Sequence, residues 1–398
     1  MHRVDIFVPC YNYGRYLRDC VASVTSQEGV EVRVLIIDDA SSDNSEEIGR
    51  QLAAEDSRVT YTRHPRNRGH IATYNEGLDW AAYDYTLLLS ADDMLTPGAL
   101  FRATSVMEAN PRVGLTFGRS IRLVEGKPAE PVPDKGQNFA ARIWSGPAWL
   151  KFVFCDRSTF FEAPAVLVRT RMYKEYGGYR ADLPHTADVE MWLRCAAHGE
   201  LAEIDADQAY YRIHSANMHG VLAPTALASL QYWKDAYDAF FEHHASYLPN
   251  EGQFREWAYG SIARMALSAA YARKYRREAE LRRKLIDLAL RTSPAIGSAR
   301  GQFAAGYESG RIRQPWAVRK VLGAPAYLFR RAADHTWRAL RSSATADLIG
   351  ARFEAGRTWG DLSLTLEAWQ GKPGPLEAAM VSGDCTLVQI GQSQRMAT

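Results

Sequence analysis

Short apolar segments alternate with amphipathic ones along the first ninety residues of the chain. The apolar segments, which predict strands, are VDIFVP, VRVLIID, VTYTRH and YDYTLLLS. The amphipathic segments, which predict helices, are YLRDCVASV, SEEIGRQLA and IATYNEGLDWA. In the first of these, Leu17, Val21 and Val24 share one helical face by their spacing. The alternation predicts an α/β fold, in which helices cover both faces of a mostly parallel sheet.

Two local signals predict where helices of this region begin. Asp43 with Glu46 fits a capping box, and Thr96 followed by Pro97 fits an N-cap with proline at the first helical position. A further strand-like stretch covers residues 113–125. The Pro- and Gly-rich segment GKPAEPVPDKGQ that follows it is predicted to be a loop.

The pattern changes after residue 219. Strong helix formers with few breakers dominate three segments, 226–245, 254–273 and 276–291. We therefore expect an α/β domain over residues 1–225, a helical extension over 226–295 and a C-terminal region over 296–398.

Composition excludes several classes of protein. The chain has 398 residues with 46% hydrophobic and 24% charged residues, and 48 Lys and Arg balance 46 Asp and Glu, as in ordinary globular proteins. Neither a basic footprint nor an RNA-binding or zinc-finger motif is present, so no nucleic-acid partner is predicted. The five cysteines are scattered and form no C-x-x-C pair, which predicts a cytoplasmic location. No signal peptide or membrane-spanning run is evident, so any membrane contact is expected at the inner face.

Polar residues stand where three predicted strands end. The segments are Pro9-Cys10-Tyr11-Asn12, Asp38-Asp39-Ala40-Ser41 and Ser90-Ala91-Asp92-Asp93. Ligands of parallel α/β sheets bind beyond the carboxyl ends of the strands, so both acidic pairs are expected to face one crevice. Paired carboxylates are stabilised by a hard cation such as Mg²⁺ or Mn²⁺. The alternative is that these aspartates cap helices or form turns.

Six segments, in order, resemble motifs of family 2 glycosyltransferases over residues 1 to about 220. They are FVPCYNYGRYL, IIDDASSDNS, NRGHIATYNEGL, LLLSADDML, GGYRADLPHTADVEMWLRCAAHG and YYRIHSANMH. The resemblance implies a GT-A fold and an enzyme that uses a nucleotide-sugar donor. Neither a P-loop nor a G-x-G-x-x-G motif follows any predicted strand.

The resemblance also implies roles for individual residues. Nucleotide-sugar binding falls to Pro9, Tyr11, Asp38, Asp39, Arg68, Gly69, Asn75, Ser90, Ala91, Asp92 and Asp93. Among these, Tyr11 would offer a ring face and Asp39 would accept a hydrogen bond from the base. Simple turn formation is the alternative for Pro9 and Tyr11.

Asp92 and His214 are the implied metal ligands, and the metal is Mg²⁺ or Mn²⁺. Asp92 matches the second carboxylate of the D-x-D motif, whereas Ser90 replaces the first and brings no charge, which predicts weaker metal binding. The alternative for His214 is a structural role.

Asp188 stands where the family has its general base, and Glu190 is the less suitable carboxylate. The alternative for Asp188 is a helix cap. The implied reaction is an inverting displacement, in which Asp188 removes the proton of the acceptor hydroxyl while a metal neutralises the diphosphate that leaves.

Three hypotheses for function remain open. The first is an inverting transferase that moves a sugar, with UDP-sugars favoured, to a saccharide or lipid-linked acceptor in surface polysaccharide or glycolipid assembly. The second is a nucleotide-sugar-binding or scaffolding protein with impaired catalysis, motivated by Ser90. The third is a sugar-phosphate nucleotidyltransferase, which would be expected to have a glycine-rich, arginine-containing loop after the first strand.

Arginines and aromatic residues interleave in residues 315–341. This composition is typical of segments that bind the headgroup region of anionic membranes. It is equally compatible with two helices that pack on the catalytic domain.

Overall fold

The computed structural model describes residues 1–124, 139–155, 161–215, 217–218, 222–272, 275, 277–294 and 385–390. The chain divides into two compact units. The first lies within Met1–Trp149, Phe161–Leu222 and Cys385–Thr398, and the second within Leu150–Phe160 and Ala223–Asp384. The predicted loop after residue 125 and the basic-aromatic segment 315–341 lie outside the described residues.

The first seven elements of the first unit alternate between strand and helix. They are β1 (His2–Cys10), α1 (Gly14–Thr25), β2 (Val30–Asp38), α2 (Ser45–Glu55), β3 (Val59–Arg63), α3 (His70–Trp80) and β4 (Tyr85–Leu88). β1 pairs in parallel with β2 and with β4, and β2 pairs in parallel with β3. Every strand and helix predicted over this stretch is confirmed.

The first unit continues with a mixed set of strands. Its further elements are β5 (Met94–Leu95), α4 (Ala99–Ala109), β6 (Val113–Val124), β7 (Phe139–Trp144), α5 (Gly146–Cys155), β8 (Val166–Arg169), α6 (Thr170–Tyr176), α7 (Ala187–His198), β9 (Glu200–Ile213) and β10 (Cys385–Ile390). α5 begins in the first unit and ends in the second.

The strands of the described residues form one mixed sheet in the order β10-β7-β9-β6-β8-β4-β1-β2-β3, with β5 paired to β9. The parallel stretch runs from β3 to β4. Beyond β4 most pairings are antiparallel, although β6 and β9 run in parallel. The predicted α/β fold is confirmed, and the sheet is more mixed than the alternation of the first ninety residues suggests.

β10 returns to the sheet from the far end of the chain. It runs antiparallel to β7, with Cys385 opposite Trp144 and Ile390 opposite Phe139. This strand was not predicted from the sequence.

The core of the parallel stretch is formed by continuous apolar strands. Val4, Ile6 and Val8 of β1 are fully buried. On α1 the face predicted from residue spacing is confirmed, because Leu17 and Val24 are 0% exposed. Strands that are buried on both faces have little alternation, as the sequence of β1 shows.

The two predicted helix starts are wrong in detail. α2 begins at Ser45, and Asp43 Oδ1 accepts a hydrogen bond from the backbone N–H of Ser45 (3.0 Å). Glu46 pairs with Arg50 instead of completing a capping box. α4 begins at Ala99, three residues after Thr96.

The second unit is helical in its described residues, as predicted. Its helices are α8 (Ala226–His244), α9 (Glu251–Ala270) and α10 (Ala279–Thr292). The Thr225 side chain caps α8 by accepting from Ala228 N (3.1 Å), and the Asn250 side chain caps α9. Over the described part of the chain, no helix combines the length and apolar character that crossing a bilayer requires.

Candidate functional site

The carboxyl ends of β1, β2 and β4 meet where the strand order reverses. β1 has β2 on one side and β4 on the other, and such a reversal leaves a crevice that binds ligands. The backbone N–H of Asp39 donates to Cys10 O (2.9 Å), and that of Ala91 donates to Pro9 O (3.3 Å). The three polar segments predicted from the sequence therefore lie side by side.

The loops after β1 and β2 are hydrogen-bonded to each other. Asn12 N donates to Ser41 Oγ (2.9 Å), and Ser42 N donates to Asn12 Oδ1 (2.8 Å). Asn12 and Ala40 have positive φ angles of 60° and 62°, a conformation that is uncommon without glycine and concentrates at functional sites. Beside them Tyr11 is 50% exposed, so its ring is accessible to a ligand.

Asp38 is the last residue of β2, and its side chain stabilises the loop that follows. Its carboxylate is buried, Oδ1 accepts from Ser41 N (2.7 Å), and Oδ2 accepts from the Tyr61 hydroxyl (2.7 Å). Burial and the charge of Asp38 raise the pKa of Tyr61, so the phenol remains a donor. Asp38 thus has partners inside the protein on both oxygens.

Asp39 fixes the segment that leads into α3. Its Oδ1 accepts from the backbone N–H of Arg68 (2.7 Å), and its Oδ2 accepts from that of Gly69 (2.9 Å). Gly69 has a φ of +84°, which only glycine adopts readily, and no neighbouring atom crowds the place of a side chain. The positive φ angle therefore explains why position 69 is a glycine.

Asp92 and His214, which are far apart in the sequence, meet at the site. Asp92 Oδ2 lies 3.0 Å from His214 Nε2, and both residues are buried. Arg212 is bonded to both aspartates of the acidic pair, because its Nε donates to Asp92 O (2.8 Å) and its backbone N–H donates to Asp93 Oδ1 (2.9 Å). Burial and then the charge of Asp92 hold the pKa of Asp93 well above its usual range.

Aromatic rings fix the orientation of His214. Tyr16 stacks on its imidazole with ring centres 5.4 Å apart, and Tyr13 meets it edge to face at 5.5 Å. The Arg212 guanidinium lies 4.4 Å from the centre of the Tyr16 ring. Sequence reasoning missed these residues, although Tyr13 and Tyr16 belong to the quoted segment FVPCYNYGRYL.

The Asp92–His214 pair fits one edge of an octahedral metal site. Two ligands at right angles, each about 2.1 Å from a Mg²⁺ or Mn²⁺ ion, lie about 3.0 Å apart. Among the residues that the structure describes, no group of three or more His, Cys, Asp or Glu side chains could hold a metal. The pair offers one carboxylate and one imidazole, and Mg²⁺ commonly takes one or two carboxylates from the protein and completes its coordination with substrate phosphates and water.

Ser90 and Ala91 form the turn that leads to the acidic pair. Ser90 O accepts from Asp93 N (2.9 Å) and from the Cys20 thiol (3.6 Å). Ala91 is fully buried, and its backbone N–H is used by Pro9 O, so the residue exposes no surface at the crevice. The Ser90 side chain is partly exposed and adds no charge beside Asp92.

Asp188 lies in the first turn of α7, where the helix dipole favours a carboxylate. Its Oδ1 accepts from Val189 N (2.8 Å). Desolvation raises the pKa of Asp188 to about 6, although the residue is only partly buried, and backbone N–H groups oppose this shift. A base with a pKa close to neutral pH accepts a proton more strongly than an ordinary aspartate.

Glu190 has a structural role instead. Its Oε2 is 2.6 Å from Arg194 Nη2, and both side chains are buried. Arg194 also donates to the carbonyl oxygens of Tyr176, Gly177 and Gly178. The ion pair therefore ties α7 to the segment that precedes it.

Asn75 is bonded to the same segment. Its Nδ2 donates to Tyr179 O (2.8 Å), and its Oδ1 accepts from Tyr179 N (2.7 Å). The side chain thus holds α3 against the chain that leads to α7. The predicted contact of Asn75 with the nucleotide stays a prediction.

Tyr74 links the two acidic parts of the site. Burial raises the pKa of its hydroxyl, and the negative charges of Asp188, Asp92 and Asp93 contribute to the rise. The hydroxyl is therefore within electrostatic reach of the candidate base Asp188 and of the acidic pair Asp92 and Asp93. Sequence reasoning missed this residue, although it stands inside the quoted segment NRGHIATYNEGL.

Comparisons with known proteins find relatives that match part of this chain. An uncharacterized protein of Mycobacterium tuberculosis is 30% identical over 204 residues, which cover 48% of this chain and 61% of the relative. A GalNAc(5)-diNAcBac-PP-undecaprenol beta-1,3-glucosyltransferase of Campylobacter jejuni is 28% identical over 184 residues, covering 46% of this chain and 59% of that protein. This chain thus spans less than two thirds of the length of either relative.

The crystal structure of S. aureus TarS 1-349 in complex with UDP-GlcNAc aligns with 78% of this chain and 92% of that chain. The sequence identity of the two chains is 14%, and the TM-score of their superposition is 0.49. The family profile described as glycosyl transferase family 2 matches residues 5–166, the part that holds the loops after β1, β2 and β4. Over residues 5–166 the chain is therefore similar to glycosyl transferase family 2.

Proposed function

We propose that this protein is an inverting glycosyltransferase that moves a sugar from a UDP-sugar to an acceptor hydroxyl in the assembly of surface polysaccharide or glycolipid. The observation that carries the proposal is the 3.0 Å approach of Asp92 to His214 in a crevice that family 2 residues form. The Campylobacter jejuni relative, whose name describes a glucosyltransferase for an undecaprenol-linked saccharide, supports a lipid-linked acceptor.

Asp92 and His214 would hold a Mg²⁺ or Mn²⁺ ion. When bound, such an ion neutralises the charge of a diphosphate leaving group. Arg212 fixes the Asp92 backbone, and Tyr16 fixes the His214 ring, so both ligands are oriented in advance. Tyr11, with its exposed ring, and Asp39 would bind the nucleobase.

Asp188 would act as the general base. It takes the proton of the acceptor hydroxyl as the oxygen forms a bond to the anomeric carbon, and the bond from that carbon to the diphosphate oxygen breaks. Attack from the face opposite the leaving group inverts the anomeric configuration. Because burial raises the pKa of Asp188 to about 6, the carboxylate is mostly ionised at neutral pH and remains basic enough to assist.

A cytoplasmic location, with contact at the inner face of the membrane, would suit a lipid-linked acceptor. The basic and aromatic segment 315–341 motivates this part of the proposal.

A binding protein with impaired catalysis is the second candidate, and Ser90 is the observation that favours it. Ser90 stands in place of the first carboxylate of a D-x-D motif, so Asp92 lacks that acidic partner. A scaffold would bind nucleotide sugars but would not turn them over.

A screen of nucleotide sugars tests both candidates. Purified full-length protein is incubated with UDP- and GDP-sugars and Mn²⁺, with and without a lipid-linked saccharide, and released nucleotide is measured. The proposal expects release from a UDP-sugar that depends on Mn²⁺ and increases with acceptor. Tight UDP binding without turnover of any donor would favour the binding protein, and the absence of any nucleotide binding would refute both.

A further inference from the structure

A buried histidine lies between Asp39 and a second carboxylate. His64 directly follows β3, and its backbone N–H donates to Asp38 O (2.9 Å). The side chain is 5% exposed. Its Nδ1 lies 2.7 Å from Asp39 Oδ1, and its Nε2 lies 2.9 Å from Glu76 Oε2. Each ring nitrogen thus faces a carboxylate oxygen at hydrogen-bond distance.

Hydrogen bonds at both of these contacts require one more proton than a neutral His64 ring carries. A neutral imidazole has one donor and one acceptor nitrogen, whereas an ionised carboxylate only accepts. Hydrogen bonds to both Asp39 and Glu76 therefore need a His64 ring that is protonated on both nitrogens. Arg68 Nη1 donates to Glu76 Oε2 (2.5 Å), so the group contains two cations and two anions.

A neutral His64 is the competing arrangement. Arg68 Nη1 also lies 3.5 Å from His64 Nε2, where it could donate to an unprotonated nitrogen. That contact is at the limit of a hydrogen bond, whereas the contact to Glu76 is 0.6 Å shorter. A bare Nε2 would also place its lone pair against a carboxylate oxygen. Distance and charge both favour the doubly protonated ring.

The acceptor positions of Asp39 are almost all occupied. Asp39 Oδ1 accepts from Arg68 N and faces His64 Nδ1, so both lone pairs of Oδ1 are used. Oδ2 accepts from Gly69 N alone among the described residues. One acceptor position therefore remains, and its direction is fixed by three contacts. It suits a base with a ring N–H, such as uracil, and opposes cytosine, whose ring nitrogen presents a lone pair.

We propose that His64 is a positioning residue, doubly protonated between Asp39 and Glu76, that orients Asp39 toward the ring N–H of a uracil base. The inference rests on the proposed function, because it takes the crevice as a nucleotide site. His64 itself touches no substrate. It acts by holding the carboxylate that does.

The first test observes the ring without a ligand. Full-length protein labelled with ¹⁵N-histidine is examined by NMR at pH 8, and the His64 signals are assigned by their loss in His64→Gln. Both ring nitrogens are expected to be protonated. In Glu76→Gln the new amide can donate to Nε2, so one nitrogen is expected to become bare. A bare ring nitrogen in the wild type would overturn the inference, whatever the activity of the protein.

The second test measures nucleotide affinity by calorimetry. His64→Gln is expected to bind UDP about tenfold more weakly, as for the loss of a hydrogen bond to a charged group, and to leave CDP binding unchanged. His198→Gln is the matched control, and it should bind both nucleotides as the wild type does. The donor KM of His64→Gln should rise while kcat at saturating donor stays within about twofold, which is the sign of lost uniform binding.

The outcomes separate this inference from the proposed function. If wild type binds UDP and His64→Gln binds it equally well, His64 has no positioning role. Equal losses for UDP and CDP, together with a lower melting temperature, would show a general structural role and also overturn the inference. If wild type binds no nucleoside diphosphate, the proposed function fails and this inference fails with it.

Discussion

Replacing Asp188 by asparagine should separate stability from catalysis. The amide keeps the shape of the side chain, and its Oδ1 can still accept from Val189 N. It cannot accept the proton of an acceptor hydroxyl. A positioned general base contributes about 10² to 10⁴ in rate, so single-turnover transfer should fall by at least about a hundredfold while UDP affinity is unchanged.

The variant should be more stable than the wild type at pH 8, although its transfer rate falls. Desolvation raises the pKa of Asp188 from 3.8 to about 6, so the folded state disfavours the charged form. The full shift corresponds to about 3 kcal/mol, which partial exposure reduces to about 1–2 kcal/mol. A group with a raised pKa stabilises the fold at low pH, and this contribution is lost as pH rises through about 6. Asp188→Asn should therefore equal wild type below pH 4 and exceed it at pH 8.

Melting temperature at pH 4 and pH 8, UDP affinity and single-turnover transfer, all on the purified variant, test this reasoning. If Asp188 chiefly capped its helix, the variant would lose about 1 kcal/mol and keep its turnover. Transfer by the folded variant at more than a tenth of the wild-type rate would refute the base assignment. A variant that is less stable than wild type at pH 8 would refute the account of the raised pKa.

Chelation with EDTA should abolish turnover. Asp92→Asn should weaken Mn²⁺ binding in calorimetry about tenfold or more, because one of the two proposed protein ligands loses its charge. Full activity of protein that elemental analysis shows to be metal-free would contradict the metal dependence. Glu190→Gln should lower the free energy of unfolding in urea by about 3 kcal/mol, since it leaves the buried Arg194 without its anion, and an unchanged midpoint would contradict the structural role. Full-length protein should float with phosphatidylglycerol vesicles at low salt, and deletion of residues 315–341 should reduce the amount of protein in the vesicle fraction. If the full-length protein does not float, the segment is better explained as a packing surface.

Most of the parallel sheet could be predicted because its signals are local. The apolar runs of β1 and β2 and the spacing of Leu17, Val21 and Val24 depend on neighbours within a few residues. The roles of Asp92 and His214 followed from a family resemblance, and their approach to 3.0 Å agrees with a shared ligand. Their assignment as metal ligands stays a prediction.

The remaining features depend on partners that are distant in the sequence. Thr96 looked like a helix cap, but its hydroxyl donates to Asp207 O (2.7 Å), and α4 starts later. Tertiary contacts of this kind override a local signal. Similarly, nothing in TYTRHPRNRG indicates that His64 faces two carboxylates, because Asp39 and Glu76 reach it only after the sheet and α3 have formed.

The pairing of β10 with β7 delays completion of the sheet during synthesis. β7 ends at Trp144 and β10 begins at Cys385, so the ribosome adds about 240 residues in between, which takes roughly 10 to 50 seconds at about 5 to 20 residues per second. For that time the β7 backbone groups that bond to β10 lack this partner and can pair with other nascent chains. Any shortened form without residues 385–390 would lose this pairing for good, so aggregation on expression would be its expected fault.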